Sequence, residues 1–326
     1  MAIPPVAHNH HYVPQFLIRN FTDQDGKVWV YDTVTKRITS RSPKSAASKT
    51  DFYAWTKGDG STDYETIENY FSRIIENDAA VAIRRLLNHE ILEPEEIVSF
   101  FRFVAAQLCR TPASFARVHD AIAPIIQEMI DRIAKFDADF RDRVYARLFK
   151  IGISPDEIEK FLTMLASGGA TAKPAREFVM HQSLALIEAV TEDFCHMSWC
   201  FHDVRSGDPD LVIGDHPVSL FDADPVSNGQ KPFGIRSPFV EITLPLSSRM
   251  LACARWNGPI SYGELEPGAG EVANNRTLRS AHRYVMAPFR SNDLMNRAAE
   301  AKIHAPKQHV HRIKVGERLT IATAFY

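Results

Sequence analysis

The sequence predicts an α+β fold, a central helical bundle with a β-sheet built from N-terminal and C-terminal strands. Two observations predict it. Strand-like apolar segments occupy both ends of the chain, and apolar residues at helical spacing fill the middle. The changes of pattern fall near residues 1–62, 63–196 and 197–326, three sub-regions expected to form a single domain over 1–326.

In the first sub-region, HHYVPQFLIRNF starts at His10 and sets two histidines, a tyrosine and a proline before a short apolar segment. Pro14 suits the first turn of a short helix with Phe16, Leu17 and Phe21 as its apolar positions. Asp25-Gly26 signals a turn, followed by the strand-like KVWVYD and KRITS, and TDFYAW reads as a further short strand. GDGST breaks the pattern, with Ser61 or Thr62 expected as a helix cap.

In the second, Ile67, Tyr70, Phe71, Ile74 and Ile75 recur at helical spacing, as do Ile97, Phe100, Phe101, Val104 and Leu108. Further helices are expected near Pro112, Ser154-Pro155 and Pro174, with Gly168-Gly169 as a stop. The aromatic residues here fall at helical spacing and are read as core. In the third, MSWCFHDV and LVIGDHPVSLF read as a β-hairpin, and VEITLPL and RMLACARW follow as strands. A helix from about Glu271 to Ala281 precedes the strand-like RYVMAPF.

Composition narrows the classes. At 326 residues, with 45% hydrophobic and 24% charged content, the chain is long enough for a substantial core and ordinary for a soluble globular protein. No run reaches the roughly 18 apolar residues a membrane-spanning helix needs, and MAIPPVAHNHHYV lacks the basic start and apolar core of a secretory signal. The expectation is a cytoplasmic protein without a membrane partner. The net charge of −2 does not advertise nucleic-acid binding. Cys109, Cys195, Cys200 and Cys253 form no CxxC pair and suit reduced thiols rather than a zinc site.

Several stretches carry candidate chemistry. His10 and His11 can ligate a metal or act as a base near neutral pH, or else His10 belongs to a terminal tail and His11 to a structural cap. His8-Asn9-His10 is not an HNH nuclease motif, whose histidines stand far apart on a ββα-metal frame. Asp215 closes the apolar LVIG run in a turn opened by Gly214, where a carboxylate can ligate a metal or orient a histidine, or simply cap the turn. Arg102, Gln107 and Arg110 lie on SFFRFVAAQLCR, a helix apolar almost all round and therefore buried. A buried arginine requires an anionic partner, either a protein carboxylate such as Asp215 or a ligand. Asn274, Asn275 and Arg276 follow the Gly268-Ala-Gly270 loop, which lacks the third glycine of a dinucleotide fingerprint. His309 and His311 alternate along a basic strand, read as an edge that discourages aggregation. Ser247 and Ser248 lack the GxSxG setting of a hydrolase elbow.

HHYVPQFLIRNF, AAQLCRTP, VIGDHPV and ITLPLSS together resemble a bacterial family designated domain of unknown function 4238. The resemblance spans most of the chain and implies common fold rather than a reaction. Relatives more often carry Asp-Asn-Pro in the third stretch, where this chain has His216.

Two expectations for function follow. One is a hydrolase acting on a phosphoester or nucleotide-like substrate, with His11 as general base or metal ligand, Asp215 as metal ligand or orienter, and Arg110 as anion clamp. Gln107, Asn275 and His216 would contact a small anionic ligand, and a divalent metal, if bound, would take His10, His11 and Asp215. The other is a non-catalytic binding or scaffold protein in which the same residues form a buried network. An enzyme leaves these groups lining an open cleft; a structural network closes over them.

Overall fold

The structure is a computed structural model that describes residues 8–134, 138–167, 173–223, 234–258, 261–303, 308–315 and 318–325. The predicted α+β class holds, and the two ends of the chain share a sheet. Val28–Asp32 pairs with Arg37–Arg41 on one side and with Tyr284–Ala287 on the other, and Ile213–Gly214 completes the sheet beyond Tyr284–Ala287. Side chains alternate along these strands. Val28, Val30 and Met286 face the main core, while Tyr31, Val285 and Ala287 face a second cluster with Leu278, Leu294 and Ala298. The register is thereby fixed, since a one-residue slip would exchange the faces.

Helices fill the middle of the chain. Pro94–Cys109 starts with proline in its first turn and a reciprocal Glu93/Glu96 capping box. Phe100, Phe103, Val104, Ala105 and Ala106 bury its flanks, as its all-round apolarity requires. Pro112–Ala134 and Arg176–Leu184 start near the predicted prolines, and Pro155–Ala166 is capped by Ser154 and Glu157. Ahead of them, Thr66–Asn69, Tyr70–Glu76 and Asn77–Leu87 run on as consecutive helical segments, the middle one a π-helix. The main core cluster joins Leu17 and Val30 to Phe71, Phe103, Phe194, Trp199 and Leu244, so all three sub-regions contribute to it. No helix among the described residues is long and apolar enough to cross a membrane.

The structure departs from the sequence reading in three places. MSWCFHDV and LVIGDHPVSLF do not form a hairpin. Ser198–Asp203 pairs with Met250–Arg255 in a separate sheet, whose strands run in the order Ser261–Glu264, Ser198–Asp203, Met250–Arg255, Val240–Ser247, Ser219–Asp222. Leu211, Val212 and Ile213 are fully buried, with Val212 in the second cluster and its neighbours in the first, which draws that run into the other sheet. TDFYAW is not one strand either: Ser48–Thr50 pairs with Asn9–His11, and Trp55–Thr56 pairs with Thr62–Asp63. Ahead of Thr66–Asn69, whose N-cap residue is Glu65, the side chain that takes the first N–H groups is that of Asp63, its Oδ1 accepting from Glu65 and Thr66, rather than that of Ser61 or Thr62. Gly168-Gly169 lies outside the described residues; Gln308–Val315 is a strand paired with Arg318–Phe325, and the side chains of His309 and His311 lie outside the description.

Candidate functional site

The N-terminal motif is held at the edge of the bundle by Asn9–His11, and the two histidines diverge because successive strand residues point oppositely. His10 is fully buried, stacks on the Tyr53 ring at 5.7 Å, and accepts the Tyr53 N–H on Nδ1 at 2.9 Å. His11 Nε2 donates to the Lys44 carbonyl at 2.9 Å, so its proton sits on Nε2 and its lone pair on Nδ1. Burial holds the His11 imidazole below its ordinary pKa, opposed by that bond to Lys44. Pro14, extended, then turns the chain into Gln15–Ile18.

Arg110 terminates the Pro94–Cys109 helix with a side chain at 0% exposure. Its Nη1 donates to Glu76 at 2.8 Å and its Nε to the Tyr12 carbonyl at 3.2 Å. In the amide orientation that satisfies both of its ends, Gln107 Oε1 accepts from Arg110 Nε and Nη2 at 2.9 and 2.7 Å, and its amide donates to the Tyr12 carbonyl. The guanidinium also lies over the Phe71 ring at 4.6 Å. Phe71 and Glu76 both reach it because of the π-helix between them. Residues five apart diverge by about 140° on an α-helix, whereas a π turn, closing i to i+5, brings them toward one side.

Glu68 completes this cluster. It accepts a bond from the His11 backbone N–H, while its Oε2 is buried without a partner among the described residues. Burial pushes its carboxyl up to about 7, with Arg110 opposing and Glu76 adding to the shift. Glu76 takes the ion pair with Arg110, and Glu68, half-buried beside it without that pair, holds its proton toward neutrality.

Asp215 and His216 form the adjoining half. Asp215 is 1% exposed; its two oxygens accept the N–H groups of His282 and Arg283 at 2.6 and 2.9 Å. Burial raises its carboxyl and these backbone groups oppose the rise. The Tyr12 phenol is pushed up by burial and raised further by Asp215, and the two halves are joined through Arg110 and Thr111, the one bonded to the Tyr12 carbonyl and the other to His216. His216 Nε2 lies 2.8 Å from Arg117 Nη1, and Nδ1 lies 2.7 Å from Thr111 Oγ1. A guanidinium only donates, so Nε2 accepts and Nδ1 carries the proton. The imidazole therefore offers one acceptor and one donor to the elements around it. Burial lowers the Arg117 guanidinium to about 10.

The structure brings His10, His11, Gln107 and Arg110 together and sets Asp215 and His216 in the adjoining half. Asn275 instead faces solvent on Ala269–Ser280, accepting from Arg297 at 2.9 Å, while its neighbour Asn274 is buried and bonded to Val212 and Asp210. The anionic partner of Arg110 is Glu76 and not Asp215. Glu68, Glu76, Thr111 and Arg117 were missed by the sequence reading. Thr111 lies in the AAQLCRTP stretch but was given no role, and the signal for Glu68 and Glu76 is two glutamates eight apart in TIENYFSRIIE, which reads as a solvated helix face. Among the described residues, no three His, Cys, Asp or Glu side chains are grouped so as to hold a metal ion.

The four stretches that resemble the family meet here. Asn20, near the end of the first, donates to the Leu246 carbonyl and accepts from the Ser248 N–H, both in ITLPLSS. The fold and this convergence define an α+β protein closed around a buried polar knot. The chain belongs to the family described as protein of unknown function (DUF4238), whose model matches residues 9–290. No curated protein and no solved structure matches it.

Proposed function

We propose that the chain is a non-catalytic binding protein in which the His/Arg/Asp motif is a structural network holding the N-terminal segment on the bundle. The observation that carries this reading is saturation. Each of the three Arg110 nitrogens is engaged, by Glu76, Gln107 and Tyr12, and Asp215 turns both oxygens to backbone N–H groups. An anion clamp or metal ligand needs free capacity facing a cleft, and these side chains are closed over. Cys200 and Cys253, directly opposite on paired strands and not joined by a disulfide, fit a reducing cytoplasmic setting, and the shared core fits a single domain.

The test is thermal unfolding of wild type and His11→Gln, with and without Zn²⁺, Mn²⁺ and ATP. The variant is expected to melt lower, with neither protein stabilised by any addition. A metal or nucleotide that stabilises wild type but not His11→Gln would sink the network reading.

Glu68 favours a second reading, a hydrolase acting on a phosphoester or nucleotide-like substrate. A half-buried carboxyl pushed up to about 7, with one oxygen unpartnered among the described residues, is equipped for acid–base work. On this reading hydrolysis has a pH limb at about 7 that Glu68→Gln abolishes. The same group gives a stability prediction that holds for either function. Its folded pKa lies above its unfolded value of 4.5, so its contribution is fully present below 4.5 and lost as pH rises to about 7. Urea melts from pH 4.5 to 8 should show Glu68→Gln gaining on wild type across that window; parallel curves would mean the carboxyl is not perturbed.

A further inference from the structure

A separate cavity lies on the five-stranded sheet, away from the motif residues. The Ala269–Ser280 helix lies over this sheet with positions 269, 272, 273 and 276, one helical face, lining the space. Ser198–Asp203, Val240–Ser247 and Met250–Arg255 supply the floor of a pocket open on one side, with a volume of about 250 Å³. At liquid density that is the space of roughly eight waters, the bulk of a six-carbon acid.

The lining is mostly apolar, with Leu251, Leu265, Val272 and Ala273 among the walls. Its polar members are unevenly charged. Glu241 is the one carboxylate and is held by Arg276 Nη2 at 2.7 Å, while the Arg276 guanidinium lies over the Phe221 ring at 4.2 Å. Arg276 Nε has no hydrogen-bond partner among the described residues, and neither does His202 Nδ1; both atoms are buried. Arg255 also lines the cavity and enters no ion pair among the described residues. Two guanidinium groups against one carboxylate leave a positive surplus beside apolar walls. Burial, with Arg255 adding, keeps His202 below its ordinary pKa, so the surplus comes from arginine.

We propose that this cavity binds a small organic carboxylate with an apolar body, its charge answered by Arg255 and Arg276 and its chain lying along Leu251, Leu265 and Val272. Guanidinium is the side chain best suited to a carboxylate, and buried polar atoms left without a partner are costly unless a ligand satisfies them. The proposal deepens the binding reading and rests on it. The cavity and the motif are different residues, so this proposal fails on ligand affinity and the network reading on stability.

The test is calorimetric titration of the full chain with hexanoate and with hexanamide, its neutral isostere. Hexanoate is expected to bind with a Kd of about 1 mM or tighter, and hexanamide at least about tenfold more weakly. Val272→Trp fills the mouth from a side chain 51% exposed, so the fold should stand, and it should weaken hexanoate by about tenfold or more. Arg276→Gln should bring hexanoate down toward hexanamide. No binding of hexanoate, equal binding of the amide, or binding unchanged in both variants would overturn the proposal.

Discussion

Arg110→Ala is expected to lower the unfolding free energy by about 3–5 kcal/mol, the cost of breaking a buried ion pair by deleting one partner. The size follows from what is left behind. Glu76, only 19% exposed, loses the guanidinium that compensates its charge, and it sits beside Glu68. Gln107 Oε1 loses its donors, and the Tyr12 carbonyl keeps only the Gln107 amide. Phe71 loses the cation over its ring. Removing both charges should be gentler. In Arg110→Ala/Glu76→Gln, no buried charge stands alone, so the double variant should lose clearly less than the two single losses added. Urea unfolding of the four proteins measures this coupling. Additive losses, or an Arg110→Ala cost under about 1 kcal/mol, would mean that the guanidinium is not what holds the N-terminal segment. Loss of Arg110 also removes a charge that favours ionised Glu68, so the Glu68 carboxyl should titrate higher still.

Much of the fold was legible because local chemistry and burial agreed. The helix starts at Pro112 and at Ser154-Pro155 carry their own stop and start chemistry, and the Val240–Ser247/Met250–Arg255 pair is adjacent in sequence. Pairing between distant strands was less legible. Ser198–Asp203 prefers Met250–Arg255 over the nearer LVIG run because LVIG must bury both of its faces, a demand that appears only once two core clusters exist. The site was legible in the same uneven way. A histidine pair beside an apolar turn, and an arginine on an all-apolar helix, announce that they need partners. The partners themselves were hidden. Glu76 reaches Arg110 through a π turn, which no spacing rule for α-helices anticipates, and Thr111 and Arg117 reach His216 only because the start of one helix abuts a turn about a hundred residues later. Asp215 showed its position and not its use, since a turn cap and a metal ligand look alike in sequence.

That ambiguity makes Asp215→Ala the most informative second variant, with an expected loss of about 2–5 kcal/mol from two buried donors left unsatisfied. The carboxylate grips the His282 and Arg283 N–H groups, and its own N–H donates to the Tyr284 carbonyl at 2.9 Å. These contacts set the entry of Tyr284–Ala287, the strand between the N-terminal hairpin and Ile213–Gly214. Arg283 in turn pairs with Asp32 at 2.7 Å on that hairpin. Losing Asp215 should therefore loosen the junction between the chain's two ends, not only a local turn. Asp215→Asn separates shape from chemistry. The amide keeps the volume and one acceptor, but its NH₂ must face one of the two backbone donors, so it should recover only part of the loss. Hydrogen exchange gives the independent readout: amides of Val285 and Met286 should lose protection in Asp215→Ala, while those of the Pro94–Cys109 helix keep theirs relative to the global unfolding limit. A metal-ligand role predicts the opposite pattern, with stability unchanged in metal-free buffer and both variants equivalent. If Asp215→Asn matches wild type and the strand amides stay protected, the carboxylate is not needed for packing, and Asp215 returns to the candidates for chemistry.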